Sequence, residues 1–289
     1  MNNFNDISIV GLGLIGGSFA LNLKRGGFKG KISAVDLNPS TIDKGISLGI
    51  IDNGDTSGEV LKSSDLIVIA TPVGTYKSVL ETIKKKTCNK KEKFIVTDLG
   101  SVKGNLVYLC EKELYGIAKF VGGHPIAGTE KSGVENSVPD LFKGAKFIIT
   151  PTENTDKTAK RKIKQLWKQL GSEVIEMNPF YHDKIFASVS HLPHIVAYSI
   201  VDTIDILSAN LGENLFGFTG GGFKDFTRIA MSDPVMWRDI CFENKENILE
   251  TIKVFKETLS TIENLIEKND RENLRNFFEI ARTKRNRIK

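Results

Sequence analysis

The stretch Ile7-Ser8-Ile9-Val10-Gly11-Leu12-Gly13-Leu14-Ile15-Gly16-Gly17-Ser18 decides the fold. A short apolar β-type run enters G-x-G-x-x-G directly, and a helical apolar pattern over residues 14–24 follows. That strand-turn-helix setting is what a dinucleotide-binding turn needs. Gly11 permits the tight turn, Gly13 lets backbone approach a pyrophosphate, and Gly16 lets helix and strand pack closely. Exposed amides at the helix start favour an anion. Gly11, Leu12, Gly13, Leu14, Ile15 and Gly16 are therefore expected to hold the cofactor. Asp36 stands twenty residues beyond Gly16, at the end of the next β-type run. An acid there can hydrogen-bond ribose hydroxyls and would repel a 2′-phosphate. Leu37-Asn38 offers no arginine to receive one, so NAD is expected rather than NADP. Thr71 and Pro72 follow the apolar run 66–70 and are expected to line the same cleft, where an ordinary strand-to-helix turn is the competing reading.

Outward from this motif, β-type runs at 7–10, 31–35, 66–70, 94–97, 147–150 and 173–175 alternate with helical patterns at 14–24, 39–48, 75–85, 102–114 and 155–170. Such alternation predicts an α/β fold with a Rossmann-type, doubly wound, mostly parallel sheet. After Met177-Asn178-Pro179 the β-type runs stop. Apolar residues recur at helical spacing over 181–211 and 233–281, including the stripe Ile248, Ile252, Phe255, Leu259, Ile262 and Ile266. The expected division is a dinucleotide-binding domain at 1–177 and an all-α domain at 178–289. A stripe of this kind packs helices together and can also meet a second copy of itself, so a homodimer through the helical domain is expected.

The 289 residues are 40% apolar and 26% charged, which suits a folded soluble chain. Lys and Arg number 40 against 35 Asp and Glu, a net charge of +5. Arg282, Lys284, Arg285, Arg287 and Lys289 equal that whole excess. A nucleic-acid binder should carry its excess on a face of the fold, so no nucleic-acid partner is expected. No apolar run reaches the roughly 18 residues that span a bilayer, and residues 1–6 lack the basic-then-apolar order of a leader. Three widely spaced cysteines, Cys88, Cys110 and Cys241, fit reduced thiols. The expectation is a cytoplasmic protein with no membrane partner.

Further segments are too specific for plain loops. They are Thr97-Asp98-Leu99-Gly100-Ser101-Val102-Lys103-Gly104, Gly122-Gly123-His124-Pro125-Ile126-Ala127-Gly128-Thr129-Glu130, Ser190-His191-Leu192-Pro193-His194, Gly220-Gly221-Gly222-Phe223-Lys224-Asp225-Phe226-Thr227-Arg228 and Asp233-Pro234-Val235-Met236-Trp237-Arg238. In this combination the chain resembles the prephenate dehydrogenase family, which includes arogenate dehydrogenases, in order from Gly11 to Trp237. The resemblance implies NAD-dependent conversion of prephenate to 4-hydroxyphenylpyruvate and carbon dioxide, within tyrosine biosynthesis. It also implies a helical dimerisation domain.

The resemblance assigns His124 as the catalytic histidine, and a neutral imidazole suits the task of accepting a hydrogen bond from the ring hydroxyl. His124 is expected in a glycine-rich loop. Ser101 matches the family serine beside that histidine; a helix N-cap is its competing use. Arg228 matches the arginine that binds a substrate carboxylate, a task suited to guanidinium. His194 and His191 match the His-Leu-Pro-His segment that helps hold substrate. Glu130 and Asp225 match acids at the pocket edge, and Thr129 is a candidate contact for a phenolic ligand such as feedback tyrosine. Trp237 is read as core, with packing near the active site as the competing reading. No mutase domain is expected ahead of Gly11 and no regulatory domain after the helices. Competing readings are another NAD-dependent acid dehydrogenase, which would use its own base, often a lysine on its second domain; a metal hydrolase built from His182, His191 and His194; and a non-enzymatic NAD sensor, which has no use for His124 and Arg228. No metal is expected.

Overall fold

The apolar, β-branched runs form strands, and their order in space explains where a ligand can sit. The computed structural model describes residues 4–90 and 92–287. Lys289, part of the basic tail, lies outside the described residues. The chain runs β1 (Asp6–Val10), α1 (Leu14–Arg25), β2 (Lys31–Val35), α2 (Pro39–Ser47), β3 (Asn53–Asp55), β4 (Leu66–Ile69), α3 (Tyr76–Thr87), β5 (Phe94–Asp98), α4 (Gly104–Glu113) and β6 (Ala118–Val121). These strands make one sheet in the order β3-β2-β1-β4-β5-β6, parallel throughout. The order reverses between β1 and β4. In such sheets the crevice beyond the carboxyl ends of the strands at that reversal is the binding place. Leu66, Ile67, Val68 and Ile69 are all buried, as expected for a strand covered on both faces.

A second, smaller sheet follows, with β7 (Gly123–Ile126), β8 (Lys146–Ile149), α5 (Lys157–Gln169) and β9 (Glu173–Glu176) in the order β7-β8-β9. The runs expected at 147–150 and 173–175 are thus strands of this sheet and not of the large one. β7 pairs antiparallel with β8, His124 opposite Ile148. His124 is therefore on an edge strand rather than in a glycine-rich loop. Gly-Gly-His-Pro has a loop-like composition, but an edge strand tolerates Pro125, whose missing N–H costs no ladder bond there. Trp167 of α5 ties this sheet to the dinucleotide-binding part. It stacks on Phe147 at 3.8 Å between ring centroids and meets Phe19 of α1 at 5.5 Å.

The helical part begins where Met177-Asn178-Pro179 placed the change in character. Asn178 caps α6 (Pro179–Phe186) by accepting from the Phe180 and Tyr181 amides, with Pro179 at a helix start where its missing donor is harmless. A π-helical turn, Ala187–His191, joins α6 to α7 (Leu192–Leu211); such turns often accompany functional sites. Then come α8 (Gly221–Thr227), α9 (Pro234–Glu243), α10 (Lys245–Glu267) and α11 (Arg271–Arg285). The helical spacing over 233–281 is realised as three helices, α9, α10 and α11. Asp233 caps α9 through the Met236 amide and Asp270 caps α11 through the Asn273 amide. By compactness the chain forms two units, Met1–Lys245 and Glu246–Lys289. In the second unit Ile248 is buried, whereas Leu259 and Ile266 of the expected stripe stand half exposed.

Pro179–Leu211 is long and apolar enough, by length and composition, to cross a membrane. The sequence shows no unbroken run there because His194, Asp202 and Asp205 interrupt it; an 18-residue window within the helix nevertheless reaches a mean hydropathy of 1.2. Its apolar side chains are largely exposed in the single chain, Ile206, Leu207 and Leu211 among them.

Candidate active site

The glycine turn sits at the sheet's reversal point. Gly11 adopts φ +93°, a conformation that suits glycine, and its amide donates to the Val35 carbonyl at 2.8 Å. A Cβ on Gly16 would lie 2.3 Å from the Gly11 carbonyl oxygen, so only glycine lets α1 approach the turn. At Gly13 a Cβ would meet nothing within 4 Å, which leaves its outer side open. Gly13 caps α1 with no side-chain hydrogen bond, so the helix start keeps free amides for an anion. Leu14 is buried and Ile15 half-buried, the latter beside Gly128. Asp36 accepts from the Leu12 amide at 2.9 Å and the Asn38 amide at 2.9 Å, which fixes it at the mouth of the turn. Thr71 packs its methyl against Gly11, and its hydroxyl accepts from Thr75 at 2.8 Å. Thr71 and Pro72 thus follow β4 across the crevice from the glycines. These residues fit NAD: an open glycine face, uncapped amides and a positioned carboxylate.

All four histidines of the chain lie in one region of the first compact unit. His124 Nδ1 is 2.8 Å from His182 Nε2, and His182 Nδ1 is 2.8 Å from Asp183 Oδ1. Phe186 flanks both rings, 5.0 Å from His124 and 4.4 Å from His182. Burial, joined by the neighbouring His182 and Lys103, holds the His124 imidazole well below its ordinary value. Burial also lowers His182, against the opposing pull of Asp183. His124 is accordingly a neutral base at pH 7. Beneath it lies a buried ion pair of Lys103 with Asp98. Asp98 also accepts from the Tyr76 hydroxyl at 2.6 Å and the Gly123 amide at 2.9 Å. Lys103 Nζ donates to the Gly123 carbonyl at 2.7 Å. The backbone next to His124 is therefore gripped from both its N–H and its C=O.

Ser101 follows β5, at the carboxyl end of the large sheet. It does not cap α4, which starts later, at Gly104, with Lys103 as its flanking residue. The first amides of α4 are instead met by Asp183 of α6, from Lys103 and Gly104 at 2.8 Å each. That leaves the Ser101 hydroxyl available to a ligand.

On the helical side, His194 Nδ1 is 2.9 Å from the Ser190 carbonyl, and its ring stacks on Trp237 at 3.9 Å between centroids. His191 is buried with Nδ1 3.2 Å from Asn244 Nδ2, and burial pushes it down to about 4. Its Nε2 and the Trp237 Nε1 are buried with no hydrogen-bond partner. Orphaned buried donors call for an explanation, and a polar ligand supplies one. Trp237 is thus core-like in burial yet carries a free donor. Arg228, whose side chain is 55% exposed, pairs with Glu130 at 2.6 Å. Thr129 Oγ1 accepts from the Lys131 amide at 3.2 Å, and Asp225 is exposed. The sequence reading took His182 only as a metal-ligand alternative, quoted Lys103 without a role and passed over Asp183. His182-Asp183 beside the Asn178-Pro179 helix start was the available signal. Among the described residues no group of three or more His, Cys, Asp or Glu could hold a metal ion.

Family models of the prephenate dehydrogenase nucleotide-binding domain and dimerization domain match residues 19–176 and 178–280. The chain belongs to the prephenate dehydrogenase family. Within that family, prephenate dehydrogenase of Bacillus subtilis is 38% identical over 284 residues, 98% of this chain and 76% of the relative. The crystal structure of prephenate dehydrogenase from A. aeolicus in complex with hydroxyphenyl propionate and NAD+ has a TM-score of 0.91 at 46% identity. It covers 99% of this chain and 98% of that one. Synechocystis arogenate dehydrogenase, with a TM-score of 0.76 at 26% identity, covers 97% and 99%.

Proposed function

We propose that the protein is an NAD-dependent prephenate dehydrogenase of tyrosine biosynthesis. It converts prephenate to 4-hydroxyphenylpyruvate with release of carbon dioxide. The observation that carries this reading is a buried, neutral His124 whose Nε2 has no protein partner among the described residues, in a fold that matches a relative bound to NAD+ and a hydroxyphenyl acid. NAD supplies the hydride acceptor. Gly11, Leu12, Gly13, Leu14, Ile15 and Gly16 hold its pyrophosphate, Asp36 its adenosine ribose, and Thr71 and Pro72 wall the cleft.

His124 Nε2 accepts the hydrogen bond of the ring hydroxyl and draws its hydrogen as hydride leaves the same carbon. The bond to the ring carboxylate then breaks, its electron pair completes the aromatic ring, and the hydrogen stays with the phenolic oxygen. Ser101 orients the hydroxyl beside His124. Arg228 binds a substrate carboxylate after exchanging Glu130 for it. His194, His191 and Trp237 offer hydrogen-bonding groups to the pyruvyl end, and Thr129 and Glu130 edge the pocket. Residues 1–177 serve the dinucleotide and residues 178–289 the substrate and self-association, in keeping with the changeover of family models between 176 and 178. The exposed apolar side chains of α7, α10 and α11 support a homodimer. Three free cysteines support a cytoplasmic setting.

The test is initial rates of NADH formation with prephenate and with arogenate, each with NAD and NADP. Fast turnover is expected for prephenate with NAD. No turnover of prephenate would overturn the reading, and a preference for arogenate would move the protein to the other branch of the family.

A further inference from the structure

Asp183 accepts backbone amides on both oxygens, Lys103 on Oδ1 and Gly104 on Oδ2. A carboxylate so held is an acceptor only. The contact of Asp183 Oδ1 with His182 Nδ1 at 2.8 Å then requires the hydrogen on His182 Nδ1. A neutral imidazole carries one hydrogen, so His182 Nε2 bears the lone pair. The contact of His182 Nε2 with His124 Nδ1 at 2.8 Å therefore requires the hydrogen on His124 Nδ1. His124 is left with its lone pair on Nε2, the nitrogen that has no protein partner among the described residues. Gly104 is part of the device. A Cβ there would sit 2.7 Å from Asp183 Oδ2, so only glycine admits the carboxylate so close to the helix start.

We propose that Asp183 and His182 are positioning residues that set the tautomer of His124 across two rings. The helical part thereby dictates which nitrogen of a strand-borne histidine is basic. The inference rests on the reading that His124 accepts the hydroxyl hydrogen. Asp183 acts as the third member of a hydrolytic triad does: holding an imidazole in the tautomer that leaves the working nitrogen free. Here a second imidazole is interposed, and the two ring flips must agree.

The substitution Asp183→Asn tests the relay while keeping one acceptor at the start of α4. With the amide oxygen accepting from Gly104, its NH2 stands where Oδ1 met both the Lys103 amide and His182 Nδ1; it donates to His182, leaves the Lys103 amide without that acceptor and reverses every donor along the chain. His124 then carries its hydrogen on Nε2 and cannot accept from substrate. The expected result is a fall in kcat of about 100-fold or more, with KM for prephenate and the Kd for NAD within about twofold of the parent. His182→Gln keeps an acceptor oxygen for His124 Nδ1 and is expected to lose about tenfold or less. The tautomer is read directly by two-bond 1H–15N correlation in histidine-labelled protein, where four side chains give a resolvable spectrum. The parent should show His124 as Nδ1–H and Asp183→Asn as Nε2–H. His124→Asn is assayed alongside. A parent His124 protonated on Nε2, or Asp183→Asn turning over at the parental rate while His124→Asn is inactive, overturns the relay alone. An active His124→Asn overturns the role of the base itself.

Discussion

At the scale of single residues, the proposed base His124 is buried and the proposed substrate cation Arg228 is half exposed. Burial holds His124 well below its ordinary value. The acid limb of kcat/KM for the free enzyme is expected below pH 6.5, with activity lost as pH falls through it. His124→Asn should reduce kcat by about 10²–10⁴-fold while NAD affinity, measured by fluorescence titration, stays near the parent's. Arg228 is half exposed and engaged with Glu130. Arg228→Ala should raise KM for prephenate far more than it lowers kcat; an unchanged KM would remove Arg228 from the substrate. His124, Ser101, Arg228 and the glycines were nameable as candidates from the sequence because their neighbours form short, specific motifs. His182 and Asp183 were not. They lie 58 and 59 positions from His124, and nothing local marks a residue whose meaning is a contact at that distance. Trp237 is buried, as a core residue should be, and its unpartnered N–H is a feature that no local pattern announces.

At the scale of elements, the alternating runs gave the large parallel sheet because strands buried on both faces read as continuous apolar segments. β3, β6 and β7 were illegible. Asn53–Asp55 and Gly123–Ile126 contain glycine, aspartate or proline and are edge strands of three and four residues. Pairing with a neighbour, and not local preference, makes them strands. The start of α4 is the clearest case of one element completing another. Its amides are met by a carboxylate from α6, and the Lys103–Asp98 pair lies beneath. Lys103→Met would leave Asp98 charged and unpaired in the interior. A loss of about 3–5 kcal/mol in unfolding free energy is expected, read as a lower urea midpoint. At the start of α1, Gly16→Ala drives a methyl into the Gly11 carbonyl. It should weaken NAD binding and lower thermal stability together.

At the scale of the whole molecule, the buried histidines make stability depend on acidity. His191 is held to about 4 when folded and titrates near 6.5 when unfolded. Between those values the unfolded chain binds the extra proton, so stability falls as pH drops from about 6.5 to about 4. The contribution is on the order of 3 kcal/mol. Urea midpoints at pH 7.5 and pH 4.5 should show it, and His191→Asn should flatten the dependence. The change in composition near 177 marks where strands give way to helices, yet the compact unit continues to Lys245. The carboxylate of Asp183, six residues past that change, shows what a cut there would sever. The two halves are not interchangeable parts. A chimera joining residues 1–177 to a foreign helical half inherits the NAD cleft intact. It is expected to reach the parental rate only if the new half brings a carboxylate to the head of α4 and an imidazole beside His124. Recombination within the family is thereby confined to partners that share this handshake, and a library of such chimeras should sort by it before it sorts by overall identity.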